Sequence, residues 1–320
     1  MGRHSHAGTP PTAYYPPMHP TPPRFIPPPP RHWTPWLVPL IFLANSAIFV
    51  YTMYLNDCPS LISPPDQCIY SRRLHRFSFQ PLSENPFLGP RSDTLRELGA
   101  LDKELVLNEG EGWRFVTSMF LHAGVIHLLL NMFSLLVTGV RLERETGFWR
   151  IGVLYMLAGF GGGLLSMMHM KTMEDPSISV GASGALFGLL GSMLSELLTN
   201  WSIYTDKCST LFNLVIVIAL NLAIGFLPGV DNSAHIGGFI SGFLLGFVLL
   251  MRPQYGYVSR KDIPPGYHAK HKAKHTICQY TCFVIALILA IAGYAYALAN
   301  IYLKLPEKYG LPRSFPELIA

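Results

Sequence analysis
Ser183 stands in the octapeptide Gly181-Ala-Ser-Gly-Ala-Leu-Phe-Gly188, a hydroxyl among very small residues at the head of a strongly apolar run. A serine in that setting has two uses. Small residues at four-residue spacing let membrane helices approach closely, and serine is common at such interfaces. Alternatively the hydroxyl is a nucleophile, which needs a base and hydrogen-bond donors around it. Taken alone, the octapeptide fits packing first.

Two further polar places lie inside apolar runs, where an ionisable or amide group is costly unless paired and marks a pathway or a reaction site. His127 and Asn131 are four residues apart, so a helix carries them on one face. His235 lies in Ala234-His-Ile-Gly-Gly-Phe-Ile-Ser-Gly242, where Gly238 and Gly242 repeat the small-residue spacing around Ser183. Each has a plainer reading, a helix-to-helix polar contact for the pair and a satisfied core or pore-lining histidine for His235. Two glycine-faced helices packed backbone to backbone would, however, bring the serine and an imidazole within hydrogen-bond reach. Phe187, one turn after Ser183, is placed to pack against that ring.

The elements that must position these groups are membrane helices. Half of the 320 residues are apolar, only 13% are charged, and the mean hydropathy is +0.30, which is the balance of an all-α polytopic membrane protein. Nothing in this balance suggests a nucleic-acid partner. Apolar stretches near the length of a bilayer crossing predict spans at 37–55, 122–141, 149–170, 182–199, 209–227, 233–251 and 279–302. The expected division is a disordered proline-rich tail over 1–35, a six-helix core over 36–251 with an external loop over 56–121, a basic connection over 252–278, a seventh helix over 279–302 and an outer tail over 303–320.

Basic residues at span ends stay cytoplasmic. The connection after the sixth span holds Arg252, Arg260, Lys261, Lys270, Lys272 and Lys274 against Asp262, and that after the second holds Arg141, Arg144 and Arg150. Both are therefore expected on the cytoplasmic side, where the first of them could also touch anionic headgroups. Glu174, Asp175 and Asp231 fall on the opposite face. The amino-terminal tail then starts in the cytoplasm; it has neither the apolar core of a cleavable signal nor a serine or threonine at position 6 for myristoylation. Cys58 and Cys68 share the external loop, where a disulfide is permitted, whereas Cys208, Cys278 and Cys282 sit at cytoplasmic span ends as free or acylated thiols.

Depth joins the polar places. The second, fourth and sixth spans all enter from the external side, and His127, Ser183 and His235 each fall in the outer half of their span. At 1.5 Å per residue all three lie within roughly 10 Å of the outer interface, where water can reach. The constellation then meets the needs of acyl transfer: Ser183 as nucleophile, His235 as general base and acid, and His127, Asn131 and the Ser183 backbone amide as donors to an oxyanion.

These residues resemble the rhomboid family of intramembrane serine proteases. The likeness rests on the GASG of Gly181–Gly184, the H-x-x-x-N of His127 and Asn131, and the A-H-x-x-G-x-x-x-G from Ala234 to Gly242. Trp113-Arg114 in the external loop, His122 five residues before His127, and the G-x-x-x-E-x-x-x-G of Gly139, Glu143 and Gly147 add to it. The resemblance implies a rhomboid-like six-helix core plus one C-terminal helix, with Ser183 and His235 as a catalytic dyad and His127 and Asn131 stabilising the oxyanion. It implies structural support from Trp113, Arg114, His122, Gly181, Gly184, Phe187, Gly238 and Gly242. Glu143 looks like the family's structural glutamate, holding backbone amides or Arg141.

One helix after the core is similar to the secretase-type arrangement, and the proline-rich tail is similar to that of plant endomembrane members. That favours a secretory-pathway membrane, Golgi or plasma membrane, over a plastid. The implied clients are single-pass transmembrane proteins entering from lipid between the second and fifth helices, with no metal or organic cofactor. Inactive relatives often lose the serine or carry proline before it; here Ala182 precedes an intact Ser183. The competing readings are a catalytically silent protein of the same fold that binds and retains membrane clients, and a channel or transporter using His127 and His235 as solute ligands.

Overall fold
The computed structural model describes residues 33–304 apart from 171–177, 202–203, 205, 226–229 and 254–274. Most of the expected tails and of the basic connection lie outside these residues. Among the described residues the chain is a bundle of seven apolar helices: α1 (Leu37–Asn56), α2 (Val125–Thr146), α3 (Phe148–His169), α4 (Ser183–Thr199), α5 (Lys207–Ile224), α6 (Asn232–Leu249) and α7 (Ile277–Ala299). Five of them, in α1, α2, α3, α6 and α7, are long and apolar enough to cross a bilayer by composition, and α4 and α5 are shorter apolar helices. The chain is an integral membrane protein of all-α architecture. A small antiparallel sheet pairs β1 (Leu101–Asp102) with β2 (Ile178–Ser179), Leu101 opposite Ser179.

The second span differs most from its expected bounds. The helix begins at Val125 rather than 122, because Gly124 is pressed against residue 87: a Cβ there would lie 2.2 Å from the Phe87 carbonyl oxygen. The Val125 amide then bonds back to Leu88 at 2.9 Å. His122 therefore precedes the helix instead of lying on it. At its other end α2 continues through one π turn, Leu135–Gly139, to Thr146, five residues past the expected boundary. Arg141 and Arg144 in this last stretch are exposed, whereas Glu143 between them is fully buried.

Glu143 explains that extension. One carboxylate oxygen accepts the amides of Trp36 and Leu37 at 2.9 and 2.8 Å, and the other accepts Val38 at 2.8 Å. The first amides of a helix have no partner within it and carry the positive end of its dipole. A carboxylate on the last turn of α2 thus caps α1 across the bundle. Of the two partners expected for Glu143, the backbone amides are the ones found; Arg141 pairs with Glu145 at 3.2 Å.

The outer connection is a structured layer of short helices tied down at both ends. Cys58 and Cys68 form a disulfide just beyond α1. Arg114, almost entirely buried, donates to the carbonyls of Arg96 and Ala100 at 2.6 and 2.8 Å and pairs with Glu111 at 2.6 Å, with its guanidinium over the Trp113 ring. One arginine thus gathers three stretches of the loop.

At the inner end a buried polar cluster joins four elements. Glu196 on α4 pairs with Arg252 at 3.1 Å and accepts from Tyr204 at 2.5 Å; Arg252 also reaches Glu145 on α2 at 2.9 Å. Burial and the neighbouring carboxylate push the Tyr204 phenol up, which keeps it a donor. Asn200 donates to Glu196 and to the Leu250 carbonyl, both at 3.0 Å, and Gln279 of α7 donates to the Arg252 carbonyl at 2.9 Å.

Replacing Glu143 by alanine leaves the three first amides of α1, that of Val38 buried, without their acceptor and is expected to destabilise the protein by about 2 kcal/mol. Thermal unfolding in detergent checks this, and Arg141→Ala, which removes only an exposed pair, is expected to leave the midpoint almost unchanged.

Candidate active site
The site is built on the contact between α4 and α6. A Cβ on Gly238 would lie 1.9 Å from the Gly184 carbonyl oxygen, one on Gly242 would lie 1.9 Å from that of Gly188, and one on Gly246 would meet the Ser195 hydroxyl at 2.0 Å. No side chain fits between these backbones. The successive pairs rise in the same direction along both helices, so α4 and α6 run parallel and enter from the same face. Gly162 of α3 closes the group: a Cβ on it would lie 2.7 Å from the Ala234 carbonyl oxygen and 3.3 Å from the Gly184 Cα.

This register fixes the level of the two chemical groups. Ser183 is the first residue of α4, and its neighbour Gly184 faces the Ala234 carbonyl, with a Cβ position 3.3 Å away. Ser183 therefore stands level with the first turn of α6, where His235 follows Ala234. The His235 ring is buried and stacks on Phe187, with centroids 4.3 Å apart and planes 19° apart. Among the described residues no hydrogen bond joins Ser183 to His235; such contacts are often long without substrate and tighten when it binds.

His127 and Asn131 project from α2 over Gly181, whose φ of +129° is a conformation that favours glycine. A Cβ at this position would be 2.7 and 2.9 Å from His127 Cε1 and Nε2, and 3.6 Å from Asn131 Nδ2. The glycine thus lets both tips approach the turn that leads into Ser183. The Ala123 amide donates to His127 Nδ1 at 3.4 Å, so the neutral ring carries its proton on Nε2, on the side of Gly181. Asn131 Nδ2 makes no hydrogen bond among the described residues, leaving a second donor free. The Gly181 amide is anchored to the Ser118 carbonyl at 2.9 Å.

The other expected site residues fall around this centre. The His122 ring is fully buried with its centroid 5.3 Å from that of His127. Trp113 and Arg114 lie in the outer layer and Glu143 at the far end of α2, so all three act through the scaffold. Among the described residues no cluster of histidine, cysteine or carboxylate groups has a metal-ligand arrangement.

Asp231 supports this site by holding the start of the helix that carries His235, a role the sequence reading did not assign. Its carboxylate caps α6 by accepting the Ala234 amide at 3.0 Å, and the Ser166 hydroxyl of α3 donates to its other oxygen. The one available signal was the Asp-x-x-Ala-His start of an apolar run, an N-cap pattern. The run Gly159, Gly161, Gly162, Gly163 on α3 was similarly legible only as general small-residue packing.

A rhomboid domain model matches residues 109–252. The chain is 54% identical to RHOMBOID-like protein 5 of Arabidopsis thaliana over 279 residues, 87% of this chain and 88% of that one. It is 44% identical over 235 residues to a protein named Inactive RHOMBOID-like protein 8 from the same plant, covering 73% and 64% of the two chains. It is also 37% identical over 159 residues to the rhomboid protease GluP of Bacillus subtilis, covering 49% and 30%. The chain belongs to the rhomboid family.

The α4–α6 contact separates glycines by their surroundings. Gly242→Ala places a methyl against the Gly188 carbonyl and is expected to cost roughly 1–3 kcal/mol. Gly293→Ala, on α7 with nothing within 4 Å of the new atom, is expected to be neutral or stabilising by up to about 1 kcal/mol. Unfolding midpoints of the two variants in the same detergent decide it.

Proposed function
We propose that the chain is a serine-type intramembrane endopeptidase that cleaves transmembrane-helix clients in or near the outer half of the bilayer through a Ser183–His235 dyad. The observation that carries this reading is the glycine-to-carbonyl register of α4 and α6, which sets the serine and the imidazole at one level. Ser183 attacks the client carbonyl while His235 takes the hydroxyl proton, and the imidazolium returns it to the leaving amine. The His127 Nε2 proton and the Asn131 amide stabilise the oxyanion, with the Ser183 backbone amide as the third donor. Stacking on Phe187 orients the imidazole where a serine triad would use a carboxylate. Nucleophile and base both come from side chains, so the reaction calls for no metal or organic cofactor.

The clients are single-pass membrane proteins. A regular helix hides its backbone, so the cut falls where helix-weakening residues let a carbonyl emerge. Entry from lipid between α2 and α5 is supported by the loose packing of α5, on which Phe212 and Leu220 are exposed. The Cys58–Cys68 disulfide supports an oxidising compartment on the outer side, as in a Golgi or plasma membrane.

The alternative, a silent protein that retains membrane clients, is separated by reactivity. A fluorophosphonate probe on the detergent-solubilised full chain is expected to label wild type and to leave Ser183→Ala and His235→Ala unlabelled. Cleavage of a membrane client is expected to fall roughly a thousandfold or more in Ser183→Ala while client capture persists. Labelling that survives Ser183→Ala would remove the serine from the mechanism, and a client phenotype untouched by that substitution would favour the retention reading.

A further inference from the structure
The five cysteines separate across the bundle. Cys58 and Cys68, at the outer end of α1, are joined and buried. Cys208, Cys278 and Cys282 are free and lie at the opposite end, Cys208 in the first turn of α5 and the other two in the first two turns of α7. An oxidised pair on one face and free thiols on the other is the pattern that a disulfide-forming compartment and a reducing cytoplasm impose.

The entry of α7 is held in one orientation. Thr276 and Gln279 form a capping box, and the Gln279 side chain is buried, donating to the carbonyls of Arg252 and Thr199 and to Asn200. With Gln279 turned inward, Cys278 is exposed and Cys282, four residues on and therefore on the same face, is half-buried. The surrounding surface is apolar: Ile277 is 85% exposed, and Tyr280, Val284, Ile285 and Ile288 all face outward. The two thiols are about 6 Å apart along the helix axis. They stand where an apolar face enters the cytoplasmic leaflet, beside a connection rich in lysine.

We propose that Cys278 and Cys282 are sites of S-acylation by a long-chain fatty acyl group. The donor is an acyl-coenzyme A thioester. The cysteine sulfur attacks its carbonyl carbon, the new carbon–sulfur bond forms as the bond to coenzyme A breaks, and the thiol proton ends on the released coenzyme A thiol, with no change of oxidation state. The acyl chain lies along the exposed Val284, Ile285 and Ile288 face, adding membrane-embedded apolar area to a helix packed on the bundle over little of its surface. This inference does not depend on the chemistry of Ser183.

The test uses the full chain expressed in eukaryotic cells. Existing free thiols are blocked in the isolated membranes, thioesters are opened with hydroxylamine, and the exposed thiols are tagged with a polyethylene-glycol maleimide. Wild type is expected to give a hydroxylamine-dependent mass shift that is lost in Cys278→Ser/Cys282→Ser and kept in Cys208→Ser, with all three unfolding at the same temperature. The proposal is overturned if wild type gives no shift while an acylated protein of the same membranes does, or if the shift persists in the double variant. It is equally overturned if the thiols are released by a reductant alone, which would make them a disulfide.

Discussion
Everything in this fold depends on the absence of side chains between α4 and α6. At Gly238 and Gly242 the backbone of α6 lies so close to the carbonyls of Gly184 and Gly188 that even a methyl group would overlap them. In hydrocarbon there is no water to expel, so helices associate through close packing and polar contacts rather than through burial of apolar surface. Small residues make that packing as tight as backbone geometry permits. The same closeness removes freedom of rotation and sliding, since the contact repeats at Gly246 against Ser195. A serine on the first turn of one helix and a histidine on the first turn of the other inherit this register without needing a bond of their own.

The remaining elements hold that pair from three directions. From above, the Gly181 amide is tied to the Ser118 carbonyl, and the outer layer behind it is gathered by Arg114 and by the pairing of β1 with β2. From the side, Asp231 caps α6 and takes the Ser166 hydroxyl of α3, fixing the turn that carries His235. From below, Glu196, Arg252, Asn200 and Gln279 fasten α4, the end of α6 and the start of α7 to one another. The buried Glu196 carboxylate is tolerated there because it is paired with Arg252 and hydrogen-bonded by Asn200 and Tyr204. Glu143 adds a link between α2 and α1 that also serves α1 as its missing cap.

The candidate centre stands out in the chain because its residues break an otherwise apolar pattern, and because the helical period says which of them share a face. Ser183, His235, and the His127–Asn131 pair all stand out on that ground, and glycine spacing indicated which helices would touch. Which backbone amides Glu143 would hold, and which residues would pair with the other buried charges, was not legible. Nothing in the sequence joins Glu143 to the amides of residues 36–38, or Glu196 to Arg252, since those pairings cross more than 50 positions and follow from the bundle's closure. The helix of α2 runs past the expected span end at 141 because Glu143, a few residues on, caps α1, a pairing that only the closed bundle supplies, while Arg141 and Arg144 stay exposed.

The helices differ in how firmly they are held, and the difference has a direction. α3, α4 and α6 share glycine contacts along much of their length, and α1 is capped by α2. By contrast, among the described residues α5 buries only Leu214 of its large side chains, against Phe187, Leu190 and Leu197 of α4. Contacts of that kind are apolar on both sides and lose little when lipid or another helix replaces them. Phe187 is the residue common to both regimes, since it lines the soft α4–α5 contact and stacks on the His235 ring. A helix that displaces α5 therefore reaches the imidazole through one aromatic side chain, while the glycine register that levels Ser183 with His235 lies on the other side of α4 and is left intact.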